Sequence, residues 1–291
     1  MTSTEDRNPI SYDLDLKSTR EILEIINTED QKIAYKVKDA MDQIEVLVDE
    51  LINTFANGGR LFYLGAGTSG RLGVLDASET VPTFSVDPTM VTGLIAGGDD
   101  ALRNPIENAE DSKEAAKADL KKANLTSNDF VIGIAASGRT PYSIGAIEYA
   151  REIGAKTGSI ACNKNAKISE YADYPIEVET GAEVLSGSTR MKAGTATKMV
   201  LNMITTTAMI KIGKVYDNLM VDLKPTNEKL VDRATKIICE ISGYDYESSK
   251  KILSKADNNV KAAIIMATKN VDYEESIKIL ENNKGFIRED L

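Results

Sequence analysis

The chain has 291 residues, 42% of them apolar, and its 45 acidic and 35 basic side chains leave a formal net charge of -10. That composition is typical of a globular protein large enough to bury a sizeable core. The negative charge disfavours nucleic acid and anionic membranes as partners, because both bind basic surfaces. The most apolar stretch, residues 199–210, is too short to span a bilayer, so we expect no membrane segment.

Scarce residue types restrict the chemistry further. The chain contains no histidine, which excludes a Ser-His-Asp triad and His-rich zinc sites. Its two cysteines, Cys162 and Cys239, cannot build a disulfide framework, and no calcium-loop motif is present. The N-terminal "MTSTEDRNPI" does not resemble a signal peptide, so we expect a cytoplasmic protein without a metal. Catalysis must therefore use carboxylates, hydroxyls, lysine, arginine, tyrosine or backbone groups.

The first regular pattern along the chain is helical. Apolar residues recur at helical spacing from Ile33 to Ile52. Thr28 is a candidate N-cap, and Asn57 with the two glycines that follow it is a typical helix end. The spacing predicts one long helix over about 29–56.

The pattern then alternates between short apolar runs and helical segments. The runs that we interpret as strands are "RLFYLGA", "VTGLIAG", "DFVIGIAAS", "KTGSIAC" and "YPIEVE". Such alternation predicts βαβ units around a mostly parallel sheet that is covered on both faces. Long helices are predicted at about 189–212 and 227–241, followed by three short ones. We therefore expect a main domain of residues 1–242 and a small helical appendage of residues 243–291.

A glycine-rich turn follows the first predicted strand. Its sequence "GAGTSG", Gly65 to Gly70, matches G-x-G-x-x-G, and Asp87 lies about where a dinucleotide-binding motif has an acid. The match is weak evidence, because an ordinary strand-to-helix turn has the same residue types. From the turn alone, a dinucleotide site and a phosphate cradle both remain open.

A second turn and a third loop favour the phosphate cradle. "AASGRTP" follows the strand "DFVIGIA", and "GAEVLSGSTRMKAGTATK" precedes the long helix. The carboxyl ends of parallel strands share one sheet edge, and each turn opens a helix whose N-terminus favours an anion. The residues of the two turns that would meet there are Gly67, Thr68, Ser69, Ser137, Gly138, Arg139 and Thr140, and the third loop puts Ser186 and Ser188 near the start of the long helix. We expect them to bind a phosphate monoester, although Arg139 could instead pair with neighbouring acids.

These segments also carry a family resemblance. Together with "TEDRNPISYDLDLKSTREILEIINTED", "GRLFYLGAGTSGRLGVLDASETVPTF" and "GLIAGGDDAL", they make the chain resemble N-acetylmuramic acid 6-phosphate etherases of the sugar isomerase (SIS) fold. The resemblance runs from about residue 4 to beyond residue 230. It implies a three-layer α/β sandwich with a five-stranded parallel sheet, a homodimer whose site lies close to the subunit interface, and no cofactor or metal.

The resemblance also implies a reaction and two catalytic carboxylates. The family cleaves the D-lactyl ether of N-acetylmuramic acid 6-phosphate with water, in the recycling of cell-wall amino sugars. By position in the family's motifs, Glu79 in "LDASE" protonates the leaving oxygen and Glu110 in "ENAED" takes the C2 proton. Which of the two is acid and which is base stays open from the sequence.

Three other functions share parts of this pattern. A noncatalytic sugar-phosphate sensor would keep the hydroxyl turns without needing both carboxylates. A sugar-phosphate isomerase of the same fold would abstract a C2 proton and leave a C3 ether intact. A dinucleotide-dependent oxidoreductase would use the glycine-rich turn differently. The sequence favours the etherase.

Overall fold

The computed structural model describes residues 3–223, 225 and 227–288. Its strands are β1 Leu61–Gly65, β2 Val91–Ile95, β3 Phe130–Ile134, β4 Lys156–Ala161, β5 Tyr174–Glu177, β6 Val215–Tyr216 and β7 Leu219–Met220. Its α-helices are α1 Thr19–Asp30, α2 Ile33–Lys38, α3 Met41–Ala56, α4 Gly67–Phe84, α5 Lys113–Lys122, α6 Pro141–Ile153, α7 Lys192–Lys211, α8 Glu228–Ser242, α9 Tyr246–Lys255, α10 Val260–Lys269 and α11 Tyr273–Asn282.

The main sheet has the order β2-β1-β3-β4-β5, and its neighbouring strands are all parallel. Gly65 at the end of β1 is in register with Ile95 of β2 and Ile134 of β3. The carboxyl ends of these three strands are therefore level, which is where open α/β sheets bind ligands. The predicted five-stranded parallel sheet is confirmed.

Helices cover both faces of this sheet. On one face, Phe62 and Leu64 of β1 belong to a buried cluster with Leu120 of α5 and Tyr142 of α6. Helices α3 and α4 pack on the other face. A Cβ atom on Gly158 of β4 would lie 2.7 Å from the Leu47 side chain of α3, and one on Gly73 of α4 would lie 3.0 Å from the Tyr63 Cβ atom of β1. Side chains alternate between faces along a strand, so β1 packs on both sides. The three-layer arrangement is the predicted one.

The backbone of helix α4 lies so close to the sheet that no side chain fits between them at two glycine positions. A Cβ atom on Gly70 would lie 2.5 Å from the Gly65 carbonyl oxygen, and one on Gly93 would lie 2.5 Å from the Val74 Cα atom. Because real Cβ atoms do not come this near to backbone atoms, only glycine fits at these positions. The first turn of α4 is thereby held directly against the ends of β1 and β2.

The single N-terminal helix predicted over 29–56 is wrong. The structure has three helices there, and Thr28, the predicted N-cap, lies inside α1. Helix α1 instead begins after Ser18, whose side chain accepts from the backbone N–H of Glu21 while the Glu21 carboxylate accepts from the Ser18 N–H. This capping box, S-x-x-E before an apolar run, is visible in the sequence and indicates the helix start, but the prediction relied on apolar spacing instead.

A buried ion pair connects the N-terminal segment to the start of α7. The Lys192 Nζ atom lies 2.6 Å from the Glu29 Oε2 atom, and the two residues are only 3% and 4% exposed. Asn8 donates to the same oxygen at 2.8 Å, and Lys32 pairs with the other one. Burial alone would raise the pKa of Glu29, but the hydrogen bonds from Lys192, Lys32 and Asn8 outweigh it and lower the pKa to about 2. Glu29 is therefore ionised across the whole physiological pH range.

The chain forms two compact units. The first comprises residues 1–78 and 88–205, and the second comprises residues 79–87 and 206–291. In the second, α8 and the three C-terminal helices share one core, to which Ile238, Leu253, Ile264 and Leu280 contribute. The limits of these units do not fall at residue 242, where the sequence analysis placed a domain boundary. That boundary stays a prediction. Residues 215–220 form a short antiparallel hairpin of β6 and β7 that the sequence analysis did not predict.

We expect Lys192→Met to lower the free energy of unfolding by about 3–5 kcal/mol, because it leaves the Glu29 carboxylate buried without its main cation. Denaturant unfolding followed by circular dichroism measures this loss. The double variant Glu29→Leu/Lys192→Met should lose less, since no charge is left unpaired. Lys38→Met, at an exposed lysine, is the control. Equal losses in Lys192→Met and Lys38→Met would contradict the proposed importance of the pair.

Candidate active site

The first turn joins β1 to α4 and points its polar groups away from the core. Gly67 has a left-handed backbone (φ 54°), is exposed, and has no atom within 4 Å of the position of a Cβ. Thr68 and Ser69 follow and are half-buried. Among the described residues, neither hydroxyl makes a hydrogen bond. Together with the unpaired N–H groups that begin α4, they form a set of free donors suited to an anion.

The second turn joins β3 to α6 beside the first one, because β3 is the direct neighbour of β1. Gly138 has φ 74°, and its N–H donates to the Ala135 carbonyl oxygen at 2.8 Å. Ser137 and Thr140 are half-buried, whereas Arg139 is exposed. Thr140 is the N-cap of α6 but its side chain makes no capping hydrogen bond, so its hydroxyl remains available.

The third loop leads into α7. Its Glu183 carboxylate accepts from the first two backbone N–H groups of α7, at 3.0 and 2.9 Å, and so caps that helix. The first turn of α7 comes close to the glycine-rich turn, since a Cβ on Gly194 would lie 3.5 Å from the Thr68 Cγ2 atom. Ser188 is half-buried in this loop.

Ser186, in the same loop, lies in different surroundings. Its hydroxyl donates to the Asp6 carbonyl oxygen at 3.4 Å. It lines a separate cavity of about 500 Å³ whose other walls include Arg7 and Tyr12 of the N-terminal segment. The predicted role of Ser186 in substrate binding is not supported by these contacts and stays a prediction.

A cavity of about 250 Å³ brings the glycine-rich turn and Glu110 together. Its walls include Gly67 and Arg71 of α4, Ala96 just after β2, and residues 105–110. Glu110 is exposed and lies in a short 3₁₀ turn, Ala109–Asp111. One of the two predicted catalytic carboxylates is thus placed beside the predicted phosphate turn.

Glu79 lies on α4, the helix that the first turn opens, and its side chain is exposed. It belongs to the second compact unit, whereas Glu110 belongs to the first. The pairing of these two carboxylates stays a prediction that follows from the family's motifs.

The sequence analysis missed a half-buried acid, Asp76, one helical turn before Glu79. Asp76 accepts a hydrogen bond from the Thr205 hydroxyl at 3.2 Å. The hydroxyl of the fully buried Tyr63 also acts on this carboxylate, although the contact lacks the geometry of a good hydrogen bond. Burial raises the pKa of Asp76 to about 6, although the hydroxyls of Thr205 and Tyr63 and the charge of Lys198 favour the ionised form. No sequence pattern distinguishes Asp76 from the many exposed acids of this chain.

Comparison with known proteins defines the class. The model of the SIS domain matches residues 106–207, and that of the glucokinase regulatory protein N-terminal SIS domain matches residues 43–151. A crystal structure of a candidate phosphosugar isomerase involved in capsule formation, from Bacteroides fragilis NCTC 9343, superposes with a TM-score of 0.50 at 21% identity. The superposition covers 65% of this chain and 91% of that one, and it shows the fold. The protein is an α/β protein of the SIS class.

Closer relatives give the family. An N-acetylmuramic acid 6-phosphate etherase from Exiguobacterium sp. strain AT1b is 56% identical over 289 residues, which are 99% of this chain and 98% of that protein. N-acetylmuramic acid 6-phosphate etherase 2 from Lactiplantibacillus plantarum strain WCFS1 is 54% identical over 287 residues, 99% of this chain and 97% of that one. The chain belongs to the N-acetylmuramic acid 6-phosphate etherase family, as its motifs predicted.

Family membership decides between the two interpretations of the glycine-rich turn, because it disfavours the dinucleotide-dependent oxidoreductase.

Within the described ranges, no group of three or more histidine, cysteine, aspartate or glutamate side chains could hold a metal ion. None of the helices in those ranges combines the length and the apolar character needed to cross a membrane.

The raised pKa of Asp76 makes a prediction about stability and pH. The folded state binds this proton more tightly than the unfolded chain, so the contribution of Asp76 to stability is complete below pH 4 and is lost as the pH rises through 6. Asp76→Asn should therefore become more stable relative to the wild type, by up to about 3 kcal/mol, between pH 4 and pH 7. Denaturant unfolding at several pH values measures the difference. Asp99→Asn, at an exposed acid, should show no such trend, and a flat difference for Asp76→Asn would refute the assignment.

Proposed function

We propose that this protein cleaves the D-lactyl ether at C3 of N-acetylmuramic acid 6-phosphate with water, releasing N-acetylglucosamine 6-phosphate and D-lactate. The observation that supports this most directly is the cavity in which Gly67 of the glycine-rich turn and Glu110 meet. It offers a carboxylate next to a set of free anion donors. The near full-length similarity to etherases supports the choice of substrate.

The phosphate binds at the turns after β1 and β3. Two helix N-termini begin there, and their unpaired N–H groups and positive dipole ends favour an anion. Hydroxyl side chains from the first, second and third loops complete the cradle. We assign to it Gly67, Thr68, Ser69, Ser137, Gly138, Arg139, Thr140 and Ser188, with Ser186 as an additional predicted contact.

The reaction proceeds through the open-chain aldehyde of the sugar. The aldehyde at C1 acidifies the proton on C2, which the Glu110 carboxylate removes. The electron pair forms a C2=C3 double bond, the C3–O bond breaks, and Glu79 gives its proton to the departing lactyl oxygen. Glu79, now a carboxylate, then takes a proton from water while the water oxygen bonds to C3, and Glu110 returns the proton to C2. Both carboxylates end as they began, and one water is consumed.

The same proposal includes the setting of the enzyme. The net charge of -10 supports a protein that does not bind nucleic acid, and a sugar-phosphate substrate from amino-sugar recycling supports a cytoplasmic location. Large apolar side chains are exposed in the N-terminal region, among them Leu16 at 81% and Leu23 at 58%. A second copy of the chain that covered them would remove this apolar area from water, which supports a homodimer.

Isotope labelling tests the reaction. The purified protein is incubated with N-acetylmuramic acid 6-phosphate in ¹⁸O-labelled water, and both products are analysed by mass spectrometry. We expect the label at C3 of N-acetylglucosamine 6-phosphate and unlabelled D-lactate, because the C3–O bond breaks. Label in the lactate would refute the elimination route, and the absence of any lactate would refute the proposed activity.

Substitution of the two carboxylates tests their roles. Glu79→Gln and Glu110→Gln should each lower kcat by about 10²- to 10⁴-fold, because each removes a positioned acid or base. Glu110→Gln should also abolish exchange of the C2 proton with deuterated water, whereas Glu79→Gln should retain it. Glu114→Gln, at an exposed acid of α5, is the matched control. If Glu110→Gln still exchanged the C2 proton, Glu110 would not be the base at C2, and the two assignments would have to be reversed or rejected.

A further inference from the structure

Arg71 lies in the same cavity as Glu110 and has not been given a role. Its side chain is half-buried and extends from the first turns of α4. The Nε atom donates to the Leu102 carbonyl oxygen at 2.9 Å, and the Nη2 atom donates to the Ala101 carbonyl oxygen at 2.6 Å. Two hydrogen bonds to a rigid backbone segment fix the direction of the planar guanidinium.

The Arg71 guanidinium is held in a fixed direction, but no carboxylate pairs with its charge among the described residues. Among the described residues, no carboxylate oxygen lies within 4.0 Å of its guanidinium nitrogens. Arg60 shows the contrast, because it also donates to carbonyl oxygens yet pairs with the Asp129 carboxylate at 2.8 Å. An arginine that serves only to hold the backbone has no need to keep an unpaired charge at a cavity wall. The remaining N–H groups of Arg71 are available to an anionic ligand.

The proposed substrate carries two anions at opposite ends of the sugar. One is the phosphate on C6, and the other is the carboxylate of the lactyl group on C3. Glu110 acts at C2, which is bonded directly to C3. Gly67 of the phosphate turn lines the same cavity, but the Arg71 guanidinium is held by carbonyl oxygens of residues 101–102, in the segment that leads to Glu110. We therefore place this cation on the side of the sugar that carries the lactyl group.

We propose that Arg71 binds the carboxylate of the lactyl ether and makes this cavity the subsite that distinguishes a lactyl ether from a neutral ether. The proposal rests on the proposed function, because it takes the substrate and the position of Glu110 from it. The guanidinium fork matches a carboxylate in two parallel hydrogen bonds, which lysine cannot reproduce. Arg71 is then a specificity-determining residue that touches the substrate without exchanging a proton with it.

Binding measurements test this independently of turnover. In the Glu110→Gln background, the dissociation constants of N-acetylmuramic acid 6-phosphate and of its neutral analogue, the 3-O-isopropyl ether of N-acetylglucosamine 6-phosphate, are compared by calorimetry. The isopropyl group keeps the ether oxygen and the methyl group of the lactyl ether and has a smaller, uncharged methyl in place of the carboxylate. We expect Arg71→Gln to weaken binding of the lactyl ether by about 10- to 100-fold and to change that of the neutral ether by less than about twofold. Arg71→Lys should recover only part of the loss.

The controls separate this role from two others. N-acetylglucosamine 6-phosphate lacks the lactyl group, so its binding should be unchanged in Arg71→Gln, which also shows that the variant is folded. Equal weakening of all three ligands would overturn the proposal in favour of phosphate binding or of a purely structural role. Arg103→Gln, in the same segment but not at the cavity wall, should alter none of the three.

Kinetics distinguish failure of this proposal from failure of the proposed function. In the otherwise native enzyme, Arg71→Gln should reduce the ratio of kcat/KM for the lactyl ether to that for the isopropyl ether by about 10- to 100-fold. An unchanged ratio overturns the subsite while leaving the etherase activity established. If the native enzyme releases no lactate, the proposed function fails, and the selectivity in binding still decides whether Arg71 recognises the carboxylate.

Discussion

The direct contact between helix α4 and the ends of β1 and β2 is the constraint on which the rest of the site depends. Glycines at both surfaces of the contact bring backbone against backbone, with no side chain between them. The first turn, Arg71 and Asp76 all take their positions from the helix that this contact places. A larger residue at Gly70 or Gly93 would have to move α4, and with it every group that the helix carries into the site.

Two carboxyl groups of the first unit have pKa values shifted in opposite directions, because their partners differ. Glu29 is held ionised by several donors, so it joins the N-terminal segment to the start of α7 at any ordinary pH. Asp76 has only the hydroxyls of Thr205 and Tyr63 and the charge of Lys198 to offset its burial, so its pKa is raised. In a chain without histidine, a carboxyl whose pKa lies near 6 is one of the few groups that changes its protonation close to neutrality.

The features that could be predicted from the sequence are those whose causes are local. The strands are short apolar runs that alternate with helical segments, and the turns that follow β1 and β3 contain the residue types that such turns require. The break of the N-terminal helix was missed although the capping box at Ser18 is also local. The roles of Asp76 and Arg71 depend on Thr205 and on residues 101–102, which are distant along the chain. No pattern in one sequence reports such pairings, nor does it report that Ser186 lies beside the N-terminal segment although Ser188 is only two residues away.

The carbonyl partners of Arg71 have a consequence for how the enzyme responds to acidity. A carbonyl oxygen neither gains nor loses a proton under conditions in which the chain is folded, and a guanidinium stays charged throughout them. The orientation of Arg71 therefore does not depend on the ionisation of a partner, as it would with a carboxylate. The hydrogen bonds that direct this side chain into the cavity persist while carboxylates elsewhere gain or lose protons.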